Sequence, residues 1–323
     1  LGRARPRRRM AAADAAAERW LAERGVFVVL GAMKCGTCSL RSHLRARAWE
    51  DSVSLPWQEP HFFDDDEEYA RGAAHYVSWF QWADEWGVPW FVGDVTPSYL
   101  YIPEAVPRLR RLLPHARLVA MLRNPVDRAL SQHNHDLAKG REVGGLRGRW
   151  ERELGPGAAA RPPPRSRGDL FGRGLYTEQL RRVLQHFPRE QLLVLISERY
   201  RRDTARELRR VRAFLGLPRR RRQDEEPLWE CHVRGAYAEE LSEANRARLR
   251  DLYAEDVAQL KALLGDPLPE WRDFAAAVPP PAELTPATPR GAALAAAVAA
   301  WARGAGQCQP ERNDETQPES EQK

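Results

Sequence analysis

A glycine-rich loop near the N-terminal end carries the clearest chemical signal in the sequence. Gly31 and Gly36 allow the main chain to approach a ligand closely, and successive backbone N–H groups at a helix start bind anions. Lys34 adds a mobile positive charge, and Thr37 and Ser39 add hydroxyl donors. The lysine precedes the second glycine, whereas the lysine of nucleotide triphosphatase loops follows it. The loop therefore predicts an anion site of a different kind from one that holds a magnesium-bound triphosphate.

A second basic element begins at Arg123, where another strand-like run passes into a helix-like segment. Arg123 suits a bidentate contact with a second phosphate, and Ser131, two helical turns on, adds a hydroxyl donor. Arg128 has a structural alternative, because it can pair with Asp127 or Asp136. Ligands of doubly wound sheets collect at the carboxyl ends of strands. We therefore expect the two basic elements to share one cleft.

Two cysteines, Cys35 and Cys38, lie inside the glycine-rich loop and form a Cys-x-x-Cys pair. Such a pair also permits a redox or zinc-binding interpretation. No second Cys-x-x-Cys or histidine pair is spaced to complete a metal site, so we expect packing roles and no metal. The other cysteines, Cys231 and Cys308, do not indicate a disulfide framework.

The composition describes a mildly basic chain of 323 residues, with 51 Lys and Arg against 45 Asp and Glu and a net charge of +6. This excess favours anionic ligands and is equally typical of an arginine-rich solvated surface. No run approaches the roughly 18 apolar residues of a membrane span. The chain begins with Leu1, so an anchor upstream of it would be compatible with the Golgi lumen or membrane, and the compartment stays unassigned.

Alternating strand-like and helix-like segments are expected to position these residues. Continuous apolar runs predict buried parallel strands, and the spacing of apolar residues predicts helices between them. The alternation predicts an α/β fold, namely a P-loop-like single domain with a central parallel β-sheet flanked by helices on both faces. The predicted strands are residues 26–30, 90–92, 117–122 and 191–196, and the predicted helices are residues 11–23, 39–48, 126–137, 176–186 and 241–264.

The domain organisation follows from composition along the chain. Residues 1–24 form a basic and alanine-rich N-terminal arm, residues 25–276 form the domain, and residues 277–323 form a tail that is predicted to be disordered. Residues 139–169 are rich in Gly, Pro and Arg and show no periodicity. They are predicted to be a long irregular excursion, with a substrate lid as one use.

Both basic elements resemble the cofactor-binding segments of sulfotransferases that use 3′-phosphoadenosine-5′-phosphosulfate (PAPS). In that family the first segment binds the 5′-phosphosulfate and the second binds the 3′-phosphate. Residues 58–63 and 93–99 resemble segments of the heparan sulfate 3-O- and N-sulfotransferase branch. A single motif is weak, but several in order form a specific signal, and the similarity spans residues 26–271. Three later segments follow in the same order: residues 173–176, 197–199 and 214–217.

The resemblance implies transfer of the sulfuryl group of PAPS to a hydroxyl or amine of an acceptor, with carbohydrates among the acceptors. It places Glu59 as the general base and Lys34 at the departing phosphate oxygen. The spacing of His61, two residues from Glu59, predicts that both lie on one strand face with His61 orienting the acceptor; a histidine packed beside the two phenylalanines is the alternative. The residues that the resemblance implies for cofactor binding are Lys34, Cys35, Gly36, Thr37, Cys38, Ser39, Arg123, Ser131, Tyr176, Arg234 and Gly235.

Two positions depart from the pattern of this branch. Val95 stands where the heparan-modifying enzymes commonly carry a lysine, and Ala236 stands where the Lys-Gly-Arg segment of the branch carries its arginine. Each change removes a positive charge near the expected site. The sequence therefore favours an acceptor that is smaller or less anionic than a polysulfated glycan.

Two alternatives remain open. A nucleotide or small-molecule kinase also uses a strand, a glycine loop and a lysine, although the lysine position disfavours it, and it would need magnesium and ATP. A non-enzymatic basic protein would bind acidic glycans or nucleic acid through residues 3–9 and 219–222, with an affinity that falls steeply with salt. The leading interpretation expects no nucleic-acid partner.

Overall fold

The computed structural model describes residues 4–45, 53–80, 91–142, 145–154, 169–217 and 237–274. Five strands form one sheet: β1 Gly25–Gly31, β2 Val53–Ser54, β3 Phe91–Val95, β4 Arg117–Leu122 and β5 Leu192–Ile196. Their order is β2-β3-β1-β4-β5, and all neighbouring strands run parallel. The predicted parallel α/β fold is confirmed. The short β2 was not predicted, because two residues carry no periodicity.

Helices connect the strands and flank the sheet. They are α1 Ala4–Ala22, α2 Thr37–Arg45, α3 Asp66–Ala70, α4 Ala73–Ser78, α5 Ala105–Leu112, α6 Pro125–Ala138, α7 Gly145–Leu154, α8 Tyr176–His186, α9 Ser197–Arg202, α10 Thr204–Leu215 and α11 Glu243–Leu264. The helix predicted over residues 176–186 is α8, and those predicted over residues 39–48, 126–137 and 241–264 are α2, α6 and α11 with slightly different ends.

The helix at the N-terminal end is longer than predicted and packs on the domain. It begins at Ala4 rather than at residue 11. Ala17 and Leu21 are buried, and the Asp14 carboxylate accepts a hydrogen bond of 2.9 Å from the backbone N–H of Ala74. Tertiary packing of one helix face therefore stabilises an alanine-rich segment that sequence alone assigned to an arm.

The strand order places the end of β1 at a switch point of the sheet. The connection after β1 leads to β2 on one side of β1, whereas the connection after β3 leads to β4 on the other side. The connections after these two neighbouring strands therefore diverge. Ligands of open α/β sheets bind in the crevice at such a point, beyond the carboxyl ends of the strands. The phosphate loop, as we call residues 31–40, begins there.

The predicted irregular excursion contains a helix, α7, so that part of the prediction is wrong. Arg149 of α7 is buried, and its guanidinium lies 2.7 Å from Asp136 and 2.8 Å from Glu153. Leu146 is buried beside Arg149, but arginines, glutamates and a second glycine interrupt the apolar pattern of α7, and apolar periodicity therefore missed the helix. Residues 155–168 of the excursion lie outside the described residues, as do residues 219–222 and 277–323.

We expect Arg149→Met to lower the free energy of unfolding by about 3–5 kcal/mol, because the buried Asp136 and the half-buried Glu153 would lose their cation. Arg147→Met is the matched control on the same helix, since the Arg147 side chain is 88% exposed and pairs with Glu151 in solvent. Urea unfolding followed by circular dichroism compares the two. Equal unfolding midpoints would contradict a stabilising role for the buried ion pairs.

Candidate active site

Two glycines let the phosphate loop pass tightly between neighbouring segments. A Cβ atom at Gly31 would lie 2.5 Å from the carbonyl oxygen of Pro97, and Gly36 has a φ of +100°. Neither position accepts a larger residue without strain. The N–H of Ala32 donates a hydrogen bond of 2.7 Å to the carbonyl of Met121 in β4. The sheet therefore holds the loop on both sides.

Left-handed backbone occurs at two of the predicted catalytic residues. Among the described residues, positive φ outside glycine is found at Lys34 (71°), His61 (51°) and Leu268 (48°). Such a conformation costs roughly 1–2 kcal/mol for a residue with a Cβ. Strain of this kind persists where the surroundings enforce it, and it concentrates at functional sites. The two positions are therefore candidates on backbone grounds as well.

The hydroxyl and thiol side chains of the phosphate loop differ in how far they are buried. Thr37 begins α2 and is buried, whereas Cys38 and Ser39 on the same turn are half-buried. The Cys35 thiol lies in the core, 3.7 Å from the hydroxyl of Tyr176. Burial raises the pKa of Cys35 to about 11, so the thiol stays protonated at neutral pH. This side chain fills space beneath the loop.

Arg123 joins the second basic element to the phosphate loop. Its Nη1 donates to the carbonyl oxygen of Lys34 at 3.4 Å. Its Nε is buried and has no hydrogen-bond partner among the described residues. An unsatisfied buried guanidinium N–H is costly, and an anionic ligand would satisfy it. Ser131 lies on α6, the helix that follows Arg123, and its side chain is buried.

A network of hydrogen bonds holds Arg123 in position. The buried Tyr176 hydroxyl donates to the carbonyl of Arg123 at 2.9 Å. Asn124 begins α6 as its N-cap: its side chain donates to Asp273 at 2.7 Å, and its N–H donates to Glu198 at 3.0 Å. Tyr176 thus contacts both basic elements from beneath.

Arg128 does not pair with Asp127 or Asp136, so that structural alternative is wrong. The side chain is fully buried and donates to Gln132 at 2.6 Å and to the carbonyl of Leu170. The helix turns Arg128 toward the core, and the two aspartates pair with arginines of α11 and α7 instead. Its function is to connect α6 to the segment before α8.

Glu59 and His61 come together at a turn rather than on a strand face, so that predicted geometry is wrong. The Nε2 atom of His61 lies 3.4 Å from a Glu59 carboxylate oxygen, and its Nδ1 atom lies 3.1 Å from Asp64. The left-handed backbone at His61 reverses the chain and permits both contacts. Hydrogen bonds to Asp64 and then to Glu59 raise the pKa of His61 to about 9. The imidazolium form therefore stands beside Glu59 at neutral pH.

Tyr99 attaches this turn to the sheet. Its hydroxyl accepts a hydrogen bond of 3.0 Å from the N–H of Phe62 and donates one of 2.9 Å to Asp94 at the end of β3. The next residue, Leu100, donates its N–H to the carbonyl of Leu30 at 2.8 Å. One short segment after β3 therefore contacts both the turn that carries Glu59 and the strand that leads into the phosphate loop. Burial raises the pKa of Asp94 to about 7.

Three polar residues of this region were not predicted as site residues. Asp64 accepts hydrogen bonds from Ser98 and binds His61, and the i, i+3 spacing from His61 was the signal that could have identified it. Arg173 is buried against the ring of Tyr101, with its guanidinium carbon 4.5 Å from the ring centre. Its Nε and Nη1 atoms have no hydrogen-bond partner among the described residues. Arg173 opens residues 173–176, one of the segments singled out in the sequence, and that was the signal that could have identified it.

We expect Asp64→Asn to lower the pKa of His61, because the largest contribution to its raised value is the hydrogen bond to this carboxylate. Asp66→Asn, two residues away, is the control, since Asp66 pairs with Arg108 at the surface. Titration of the histidine ring signals by NMR measures the shift. An unchanged His61 pKa in Asp64→Asn would show that the contact does not hold the imidazolium.

The remaining predicted positions are placed as follows. Arg234 and Gly235, together with Ala236, lie outside the described residues, and Val95 is buried at the end of β3. Within the described ranges no cluster of three or more His, Cys, Asp or Glu side chains has the arrangement of a metal site. No helix in those ranges is both long and apolar enough to cross a membrane.

A hollow of about 450 Å³ lies on α9 and α10, away from the two basic elements in sequence. Several of its charged side chains already form ion pairs. Arg199 lies 2.5 Å from Asp266 and 2.9 Å from Glu270, and Arg210 pairs with Glu207. We therefore assign the candidate site to the two basic elements, which meet where Arg123 contacts the backbone of Lys34. The hollow is lined by Arg199, Arg202, Asp203, Arg206, Glu207 and Arg210.

Comparison with known proteins finds relatives over much of this chain. The family model described as "Sulfotransferase domain" matches residues 25–246. The chain is 32% identical over 192 residues to mouse heparan sulfate glucosamine 3-O-sulfotransferase 3A1, covering 59% of this chain and 46% of the relative. It is 33% identical over 193 residues to human heparan sulfate glucosamine 3-O-sulfotransferase 6, covering 59% and 52%. The chain thus spans about half the length of the curated relatives it matches.

A solved structure is similar over most of the chain. The crystal structure of a sulfotransferase from Alicyclobacillus acidocaldarius superposes with a TM-score of 0.60 at 28% identity. The match covers 77% of this chain and 98% of that protein. The similarity therefore includes the fold as a whole and is not confined to single motifs.

Proposed function

This chain belongs to the sulfotransferase family, and on that premise we propose that it moves the sulfuryl group of PAPS to a hydroxyl or amine of an acceptor. The observation that carries the proposal is the contact between the Arg123 guanidinium and the carbonyl of Lys34, at 3.4 Å. The contact brings the two basic elements together, and a lysine and an arginine from adjacent elements suit the two phosphate-bearing ends of the donor. The unsatisfied Nε of Arg123 supports an anionic ligand there.

The transfer step needs a base for the acceptor and a cation for the leaving group. A bond forms between the acceptor atom and sulfur while the bond between sulfur and the bridging phosphate oxygen breaks. Glu59 accepts the acceptor proton, and Lys34 stabilises the charge that develops on the departing phosphate oxygen. Lys34 and Arg123 provide positive charge from the chain itself, which suits the charge that develops on the leaving group. We propose no metal requirement for this step.

His61 and Asp64 position the base in this mechanism. The imidazolium of His61 lies between two carboxylates, which holds Glu59 in one orientation. Asp64 is in turn fixed by Ser98, on the segment that contacts β1. The acceptor proton therefore meets a carboxylate whose position depends on three side chains from two segments.

The acceptor that we propose is a carbohydrate. The curated relatives named above are heparan sulfate glucosamine sulfotransferases. Val95 supplies no charge where that branch commonly has a lysine, and its side chain is buried. We therefore propose a glycan that carries fewer sulfate groups than a mature heparan chain.

The test is calorimetric titration with 3′,5′-ADP and with 5′-AMP, which lacks the 3′-phosphate. The wild type should prefer 3′,5′-ADP, and Arg123→Ala should weaken its binding by roughly 10- to 100-fold, as for a lost charge-assisted hydrogen bond. The same variant should bind 5′-AMP as the wild type does. Arg209→Ala, an exposed arginine of α10, is the control and should change neither affinity.

Two outcomes would contradict the proposal. If the folded wild type does not bind 3′,5′-ADP, the proposed cofactor is wrong. If it binds ATP with magnesium and phosphorylates an acceptor, the kinase interpretation is correct instead. Binding of polyanions that survives Glu59→Gln without any transferase activity would favour a non-enzymatic protein.

A further inference from the structure

An exposed tryptophan lies two residues before the proposed base. Trp57 is 79% exposed, and the one other exposed large apolar side chain in the described ranges is Met10 of α1, at 60%. A tryptophan gains more from burial than almost any other side chain, so a nearly complete exposure of its ring leaves a large unused contact surface. Because Trp57 is two residues from the proposed base Glu59, its exposed ring is a candidate to contact the acceptor.

The indole ring is held in place by the helix of the phosphate loop. The guanidinium of Arg45, the last residue of α2, lies 3.4 Å above the ring centre of Trp57. Nη1 of Arg45 also donates to the carbonyl of Leu55 at 3.2 Å. A cation–π contact that is fixed by a second hydrogen bond orients the ring. One face of the indole is therefore covered by Arg45, while most of the side chain stays open to solvent.

The separations along the chain keep the backbone of Trp57 close to that of the proposed base. Trp57 and Glu59 are two residues apart, which is at most about 7 Å along an extended backbone. Arg45 is eight residues after Thr37, which is about 12 Å along the axis of α2 from the phosphate loop. A flat apolar surface at this separation from the base matches the width of roughly one sugar ring.

We propose that Trp57 is an acceptor-binding residue whose open face stacks on a pyranose ring adjacent to the sugar that receives the sulfuryl group. Pyranoses present a face of C–H groups, which the negative face of an indole attracts and shields from water. Arg45 fixes the ring plane and thereby makes the platform rigid before the acceptor binds. This inference rests on the proposed sulfotransferase function and assigns the acceptor-binding platform of that site.

The proposal predicts an effect on the acceptor and none on the donor. Trp57 contacts neither of the two basic elements in the described interactions, and its exposed ring contributes little to the folded core. Trp57→Ala should therefore leave 3′,5′-ADP affinity and thermal stability unchanged. It should raise the KM of a multi-sugar acceptor roughly tenfold or more, with kcat changed far less.

The experiment uses the full chain with saturating PAPS and two acceptor probes, a heparan sulfate hexasaccharide and a single methyl glucosaminide. The hexasaccharide offers a neighbouring ring, and the monosaccharide does not. We expect the ratio of kcat/KM between the two probes to fall at least tenfold in Trp57→Ala and to recover largely in Trp57→Phe. Met10→Ala, which removes the other exposed apolar side chain, should leave the ratio unchanged.

The failure of this inference is distinguishable from failure of the proposed function. If the wild type binds 3′,5′-ADP and transfers sulfuryl groups, but Trp57→Ala keeps the hexasaccharide preference, Trp57 is a surface residue and the inference is wrong. If the enzyme sulfates 4-nitrophenol and neither sugar probe, the platform does not bind a pyranose. If the folded wild type does not bind 3′,5′-ADP, the proposed function fails and the inference fails with it.

Discussion

Glu59→Gln is expected to reduce kcat for sulfuryl transfer by about 10²- to 10⁴-fold, the usual contribution of a positioned general base. Glutamine keeps the size of the side chain and can still contact His61, but it cannot accept the acceptor proton. Glu59 lies on the turn at His61 and is not part of the phosphate loop. The affinity for 3′,5′-ADP should therefore stay within about twofold of the wild-type value, because the anion contacts are untouched.

Single-turnover measurements with labelled PAPS, together with calorimetry of 3′,5′-ADP, separate these two effects. Glu67→Gln on α3 is a suitable control, because this carboxylate is exposed and remote from His61 in the observed contacts. Full activity of Glu59→Gln would exclude Glu59 as the base. A loss of 3′,5′-ADP binding in the same variant would instead assign Glu59 to the donor site.

Lys34→Ala is expected to lower kcat by about 10²- to 10³-fold, because it removes the cation that stabilises charge on the departing oxygen. The variant should also bind 3′,5′-ADP more weakly, since a phosphate contact is lost. Alanine has a Cβ just as lysine does, so the left-handed backbone at this position, φ 71°, is equally strained in both. The expected effect is therefore electrostatic and does not arise from the backbone.

The matched variant is Lys34→Arg, which keeps the charge while changing its shape. It should retain more activity than Lys34→Ala, although an arginine does not reproduce the point charge of an ammonium group. Steady-state kinetics at saturating PAPS compare the three proteins, and circular dichroism confirms that they fold alike. Equal kcat values for Lys34→Ala and the wild type would place the stabilising charge elsewhere in the site.

The sequence by itself determined the four longer strands, five of the helices and the two basic elements. Buried strands such as β1 and β4 are continuous apolar runs, and α8 has a clear helical pattern, so local residue types predicted them. The glycine and lysine spacing of the phosphate loop likewise depends on neighbouring residues. Each of these signals is local, because backbone sterics and burial of one segment leave their pattern within that segment.

The tertiary structure decided which distant side chains meet. Arg128 was expected beside an aspartate of its own helix, yet it donates to the carbonyl of Leu170, 42 residues away. Arg149 forms ion pairs with Asp136 and Glu153, although it lies in a segment that was predicted to be irregular. The partner of a charged side chain depends on which face of an element packs inward, and a pattern along the chain does not record that choice.

The same reason explains what was missed at the site. The turn that joins Glu59, His61 and Asp64 contains a left-handed residue. It is also held by Tyr99, whose hydroxyl accepts a hydrogen bond from the N–H of Phe62, 37 residues earlier in the chain. The indole of Trp57 is oriented by Arg45 of another element. The sequence identified the candidate chemical groups, because the type of each residue determines which groups its side chain carries. Only the folded chain brought them to bonding distance, because those contacts are made between segments that are far apart in sequence.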